Sequence, residues 1–184
     1  MSTKTDLGKY TTGDFKEGGS FVKRALWFLF SNLIVKSTLF PFMGIKTFVL
    51  RMFGAKIASG VVIKPGVNIT YPWRLQLGKH VWLGENVWIE NHVMVTIGDN
   101  VCLSQDCMLL TGNHNYKKET FDLIVKEIVI EEGVWVGARA VVTQGITLKS
   151  HAVLTTGSVA TSDLEAYSIY QGVPASKIRD REIG

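Results

Sequence analysis

From Ile57 onward an aliphatic residue returns every six positions. The first set is Ile57, Ile63, Ile69 and Leu75. After a shift of two the series resumes at Leu77, Leu83 and Ile89, and after a second shift of two at Ile97, Leu103 and Leu109. One long break follows, and then come Ile130, Val136, Val142, Leu148 and Leu154. Four positions after most leaders stands a small or β-branched residue: Val61, Val67, Val81, Val87, Val93, Val101, Cys107, Val134, Ala140, Ile146, Ala152 and Ser158. A fixed six-residue period predicts a parallel β-helix, a solenoid whose coils have short straight sides and regular corners.

The corners carry their own signal. In fourteen hexads the third position after the leader holds Gly60, Gly66, Pro72, His80, Asn86, His92, Asn100, Asp106, Gly112, Gly133, Arg139, Gly145, His151 and Gly157. Twelve are Gly, Asn, Asp or His, the types that best tolerate positive φ. Proline cannot adopt it, so the coil is expected to deviate around Tyr71-Pro72-Trp73. The fifth position points outward and is apolar in ten of the fourteen: Val62, Trp82, Trp88, Met94, Cys102, Met108, Trp135, Val141, Val153 and Val159. Apolar rows on the outside of a slim prism need a cover, and packing against further copies of the chain would provide it.

Ahead of the repeats, Phe21–Val35 holds eleven apolar residues behind Ser20, a suitable helix N-cap. A second apolar stretch, Phe40–Phe53, contains Pro41 and Gly44. Neither is long or clean enough to read as a membrane span. The expected organisation is an N-terminal arm over residues 1–56 whose helices cap the open first coil, a β-helix over 57–176 with an inserted loop at about 115–126, and a basic tail at 177–184.

Composition adds placement. The chain has 184 residues, 46% hydrophobic and 20% charged, which excludes disorder. Its net charge of +4 is unevenly spread. Residues 1–56 carry nine Lys or Arg against three Asp or Glu, whereas 57–176 carry eight against eleven. Basicity therefore belongs to the arm, and nothing points to nucleic acid. Cys102 and Cys107 fall on opposite phases of the repeat and are expected to be free thiols. The first twenty residues are polar and unlike a signal peptide, so a cytoplasmic protein is expected, with contact to the inner membrane surface through the arm as a further possibility.

The hexads, the loop start TGNHNY, the segment VWVGARAVVTQGITLKSHAVLTTGSVATSD and the ending YQGVPASKIRDR resemble the hexapeptide-repeat O-acetyltransferases. Among these they are most similar to the colanic-acid-biosynthesis type and to the maltose, galactoside and nodulation acetyltransferases. The resemblance implies a left-handed coil, a homotrimer with sites between subunits, and acetyl-CoA as co-substrate, with no metal. It implies that His114, in the TG-x-H motif, is the general base for transfer to a sugar or lipid-linked saccharide hydroxyl. Such members commonly have Asp after that histidine, where this chain has Asn115. Glu90 and Asn91 match a segment lining the acceptor site, and Asn115 joins them as a candidate contact. Gly137, Ala138, Thr156 and Gly157 match positions along the pantetheine arm of coenzyme A, and Thr161 one near its adenine end. Lysine is common where Ser162 stands, and Lys or Arg where Ser176 stands, so Lys177 and Arg179 are left to meet the nucleotide phosphates. His80, His92 and His151 are explained as corner residues. Two other readings are a zinc carbonic-anhydrase-like β-helix, which needs three converging histidines, and a non-enzymatic scaffold. A small soluble acceptor is the alternative to a saccharide.

Overall fold

The computed structural model describes residues 4–40 and 42–184; the expected contribution of Pro41 lies outside them. The repeat region is a left-handed parallel β-helix. Its three faces are parallel sheets whose neighbouring strands come from successive coils. The first face stacks Lys56–Ile57, Leu75–Leu77, Val95–Ile97, Ile128–Ile130 and Thr147–Leu148. The second stacks Val62–Ile63, Trp82–Leu83, Cys102–Leu103, Trp135–Val136 and Val153–Leu154, and the third Asn68–Ile69, Trp88–Glu90, Met108–Leu110, Val141–Val142 and Val159–Ala160. Ser168–Gly172 adds a further rung to the second face and folds back antiparallel onto Ala175–Asp180, a strand that runs through the expected boundary at 176.

The leading aliphatics fill the prism. All are buried except Ile57, which is half-buried at the open end. The residues four places on are buried too, apart from the half-buried Val93. Eleven of the fourteen corner positions have positive φ, including Arg139 at +57°, which residue type did not foretell. The three that do not are Pro72, His92 and Gly112. These share one edge, between the third face and the first, where the step to the next leader is longer than six (Ile69 to Leu77, Ile89 to Ile97, Leu109 to Ile130). Extra residues let the chain turn without a left-handed residue. Pro72–Arg74 uses the room for a 3-10 turn, which is the expected deviation.

The edge between the first and second faces, with corners Gly60, His80, Asn100, Gly133 and His151, shows why a glycine stands one coil before each histidine. A Cβ on Gly60 would sit 2.3 Å from the His80 ring, and one on Gly133 would sit 2.6 Å from the ring of His151. Each imidazole occupies the space that the glycine of the coil above leaves open.

An open solenoid end exposes unpaired backbone groups. Here helix α1 (Phe21–Phe30), a wider π-helical turn (Ser31–Val35) and helix α2 (Met43–Met52) lie over it. The Trp27 indole donates to the carbonyls of Ile69 and Thr70 at 3.2 and 2.9 Å. Arg51 donates to Ile57 and Ala58, and the Lys36 carbonyl accepts from Gly66 N–H at 3.1 Å. Lys46 is only 1% exposed, its ammonium reaches the Lys64 carbonyl at 3.4 Å, and burial lowers its pKa. Phe53 packs against Trp27 and Phe30 beneath the helices.

Gly133→Ala is expected to cost about 1–2 kcal/mol from the left-handed backbone alone, and more from the His151 ring. A thermal melt should show the loss. An unchanged melting temperature would show that the imidazole moves aside freely.

Candidate active site

The edge between the third face and the first, where only Gly145 of the four corners is left-handed, carries the polar chemistry. Its backbone is stitched by two buried side chains. Asn91 is fully buried, donates to the carbonyls of Tyr71 and Arg74 at 2.6 and 3.0 Å, and accepts from Tyr71 N–H at 2.9 Å. One coil on, the Thr111 hydroxyl donates to Glu90 O and accepts from His92 N–H, both at 2.8 Å. Asn91 thus replaces missing backbone pairs and presents nothing to a substrate, contrary to the expected acceptor contact.

His114 ends the strand Gly112–His114, which pairs antiparallel with Leu123–Val125 as the neck of the insertion. Its Nδ1 lies 3.1 Å from the Phe121 carbonyl, and its ring stacks on the Phe121 ring at 4.4 Å and 8°. A carbonyl only accepts, so Nδ1 carries the proton and Nε2 is left as the basic nitrogen. Asn115 does not orient the imidazole. Its side chain accepts from Lys117 N–H at 3.2 Å and shapes the loop. A Lys118–Asp122 ion pair at 3.0 Å closes the loop tip.

A pocket of about 290 Å³ opens beside His114, lined by Trp88, Glu90, His92, Met108, Leu110, Gly112, Asn113 and Leu123. Glu90 Oε1 lies 3.4 Å from His92 Nε2. A Cβ on Gly112 would come within 2.9 Å of the His92 ring and 3.3 Å of the Glu90 carboxylate, so the pair can approach this strand only at glycine. His92 is therefore a pocket residue and not a left-handed corner, which corrects its expected role. The sequence held a clue: the shift of two after Ile89 exempts His92 from the hexad rule.

Residues 4–19 form a strap along this edge, which the repeat pattern did not foretell. Asp6 N–H donates to Glu119 O, Leu123 N–H to Thr11 O, and Lys9 pairs with Glu119 at 2.6 Å. Tyr10 then packs on His114 at 5.7 Å between ring centroids and Phe15 edge-on to His92 at 5.4 Å. Trp73 Nε1 donates to Glu17 O at 3.1 Å, and the Arg74 guanidinium donates to Lys16 O while lying over Phe15.

The expected cofactor residues lie elsewhere. Ala138 and the Thr156–Gly157 pair stack at the edge between the second and third faces, where Gly157 N–H donates to Ala138 O at 2.9 Å. Gly157 has φ +69° and open space where a Cβ would stand. A Cβ on Gly137 would lie 2.5 Å from Thr156 N, so its smallness serves coil stacking. Thr161 is exposed on His114's own edge, two coils further along. Lys177 is ion-paired with Asp180 at 2.6 Å, a bond that raises its pKa. Arg179 borders a depression of about 480 Å³ with Arg181 and Glu182. Within one chain, His114 and the Ala138–Gly157 edge stand a whole face apart, a hexad of up to about 20 Å of extended backbone. Burial pushes the Cys107 thiol up to about 12 and raises that of Cys102, so neither offers a thiolate near neutral pH.

A parallel β-helix of hexads with a histidine on a projecting loop defines a class, the hexapeptide-repeat acetyltransferases. Comparison with known proteins places the chain inside it. It is 34% identical over 176 residues to the colanic acid biosynthesis acetyltransferase WcaF of Escherichia coli (strain K12), covering 96% of this chain and 97% of that one. To the galactoside O-acetyltransferase of the same organism it is 28% identical, over 73% and 68% of the two chains. The acetyl coenzyme A complex of the hexapeptide-repeat acetyltransferase VCA0836 from Vibrio cholerae superposes with a TM-score of 0.80 at 24% identity, over the whole of both chains. No family profile matches the chain. The chain belongs to the hexapeptide-repeat acetyltransferase family, and it is an acetyltransferase.

The hydrogen bond to Phe121 makes a direct prediction. In long-range ¹H–¹⁵N spectra of the neutral imidazole, His114 should appear protonated at Nδ1. Protonation at Nε2 would show that the Phe121 carbonyl does not hold the ring.

Proposed function

We propose that the protein moves acetyl from acetyl-CoA to a hydroxyl of a sugar or lipid-linked saccharide in cell-surface polysaccharide synthesis, with His114 as general base. The observation that carries this is the oriented imidazole: Nδ1 is bound to a backbone carbonyl, one ring face is stacked, and Nε2 is left to accept a proton beside the pocket. The pocket suits a saccharide. The Trp88 indole offers an apolar platform for a pyranose face, and Glu90 offers a carboxylate to hydroxyl donors. The 34% identical relative named for colanic acid biosynthesis supports a polysaccharide-related acceptor.

In this reading Nε2 takes the acceptor's proton as its oxygen attacks the thioester carbonyl carbon. Backbone N–H groups of a coil corner stabilise the oxyanion. Collapse of the tetrahedral intermediate breaks the C–S bond, and the imidazolium returns the proton to the departing thiolate. Both substrates are bound at once, and the high thiol pKa of Cys107 speaks against an acyl-cysteine there.

The cofactor binds in this reading along Ala138, Thr156 and Gly157, where the small, exposed corners leave room for a pantetheine arm, with Thr161 toward the adenine and Lys177 and Arg179 toward the phosphates. Because that edge and His114 are a face apart, the acyl group meets the base only if two copies share the site. A homotrimer answers this, with Trp82 and Trp135 of the second face covered where prisms meet.

His114→Ala should reduce turnover by roughly 10²–10⁴-fold with acetyl-CoA binding intact. Retention of more than about a tenth of the rate would remove His114 as the base. The shared site has its own test. His114→Ala and Ala138→Trp should each be inactive alone. Refolded together at equal amounts they should recover about a quarter of wild-type activity, since half the bases and half the cofactor edges are intact. No recovery in verified mixed trimers would confine each site to one chain.

A further inference from the structure

The N-terminal arm covers the coil with one side and leaves its other side apolar and open. Along α1 and the π-helical turn that continues it, Val22, Leu26, Leu29 and Leu33 recur at helical spacing and are 62%, 45%, 51% and 61% exposed, while Trp27 and Val35 are buried. Phe21 and Phe28 flank that stripe at 76% and 73%. On α2, Ile45, Phe48 and Met52 form a second exposed stripe opposite Val49 and Leu50. Of twenty-three exposed large hydrophobics among the described residues, twelve lie between residues 21 and 52. A helix that is apolar on both sides needs a partner on both.

The charge around these stripes selects the partner. Residues 20–56 contain six Lys or Arg and no Asp or Glu. Lys46 is buried, but Lys23, Arg24, Lys36, Arg51 and Lys56 are at least partly exposed, with Arg51 also bonded to the Ile57 and Ala58 carbonyls and Lys23 lying over the Trp73 ring. Of these, Arg24 pairs with Glu17 of the strap at 3.1 Å. Exposed Phe and Leu bordered by cations are the surface that anionic lipid headgroups and acyl chains recognise together. Among the described residues no helix is long and apolar enough to cross a membrane, so such contact lies in the interface plane.

We infer that the outer face of α1 and α2 docks on an anionic bilayer surface. A second copy of the chain is the competing occupant, but the coil carries separate apolar rows for that purpose on its second and third faces. Docking by one arm stands without the proposed activity. Its strengthening by assembly rests on the trimer reading: around a three-fold axis parallel to the prisms, all three arms lie at one end and engage a surface together. His114 belongs to the third coil, about 10 Å along the prism from the first, so the pocket would open close beneath the headgroups.

The test uses the full chain and vesicles of phosphatidylcholine with or without about a third phosphatidylglycerol. The protein should sediment with the anionic vesicles and release progressively as salt rises toward about 0.5 M. The double variant Leu29→Glu with Leu33→Glu removes two exposed side chains that touch no core. It should lower vesicle partitioning at least about thirtyfold while its sedimentation in solution and its binding of acetyl-CoA match wild type. Wild-type protein that stays in the supernatant at low salt overturns the proposal, as does equal partitioning of the variant. A variant that binds vesicles poorly because it no longer self-associates assigns the face to a second copy and overturns it as well.

Discussion

Axial hydrogen bonding between coils is the interaction on which this molecule depends. Up to Val159–Ala160 each coil strand contributes only two or three residues, too few to be stable alone, and exists because a strand of the next coil lies beside it. A ladder of this kind has two ends, and the chain treats them differently. At the first coil the Trp27 indole, the Arg51 guanidinium and the Lys36 carbonyl serve as partners for backbone groups that no coil reaches. At the last, Ser168–Gly172 and Ala175–Asp180 pair with each other, and Arg181 donates back to the carbonyls of Gly133 and His151. Cation and indole donors suit the first end because its free groups are mostly carbonyls.

The same ladder explains where the chemistry sits. Two edges are tight, and their corners need a left-handed residue, so side-chain choice there is subordinate to backbone geometry. The first three corners of the third edge have extra residues and no such demand; only its last, Gly145, is tight and left-handed. There Asn91 and Thr111 satisfy the backbone, which frees Glu90, His92 and His114 to face a pocket. The strap reinforces the arrangement from outside, with one aromatic ring against each imidazole.

Much of this was legible in the chain. The period, the interior leaders and the tight corners follow from local rules that repeat many times, so each hexad checks the others. The pocket was legible in part. His114 stands where the period breaks, and Glu90 lies one coil before it. His92 was misread because its slot matched the corner rule in count but not in step length. Asn91 was expected at the acceptor site because burial of an amide depends on a missing backbone partner, which no linear pattern records. The contacts of Tyr10 and Phe15 are long-range and made by a segment without periodicity. Phe121 acts chiefly through its main-chain carbonyl, a group every residue has.

The neck of the insertion has a consequence for how such a protein can change. Lys126 N–H donates to Thr111 O at 3.0 Å, so the chain leaves and rejoins the coil at almost one point. The residues between them project as a side loop from an otherwise continuous spiral, with His114 in its neck. A loop of different length or composition can be grafted there without altering the rung spacing, the edge that holds Ala138 and Gly157, or the outward tryptophans. The tip can therefore vary while the ladder of coils stays constant, and variation confined to residues 116–118 would leave both the Phe121 carbonyl on His114 and the strap's bond to Glu119 in place.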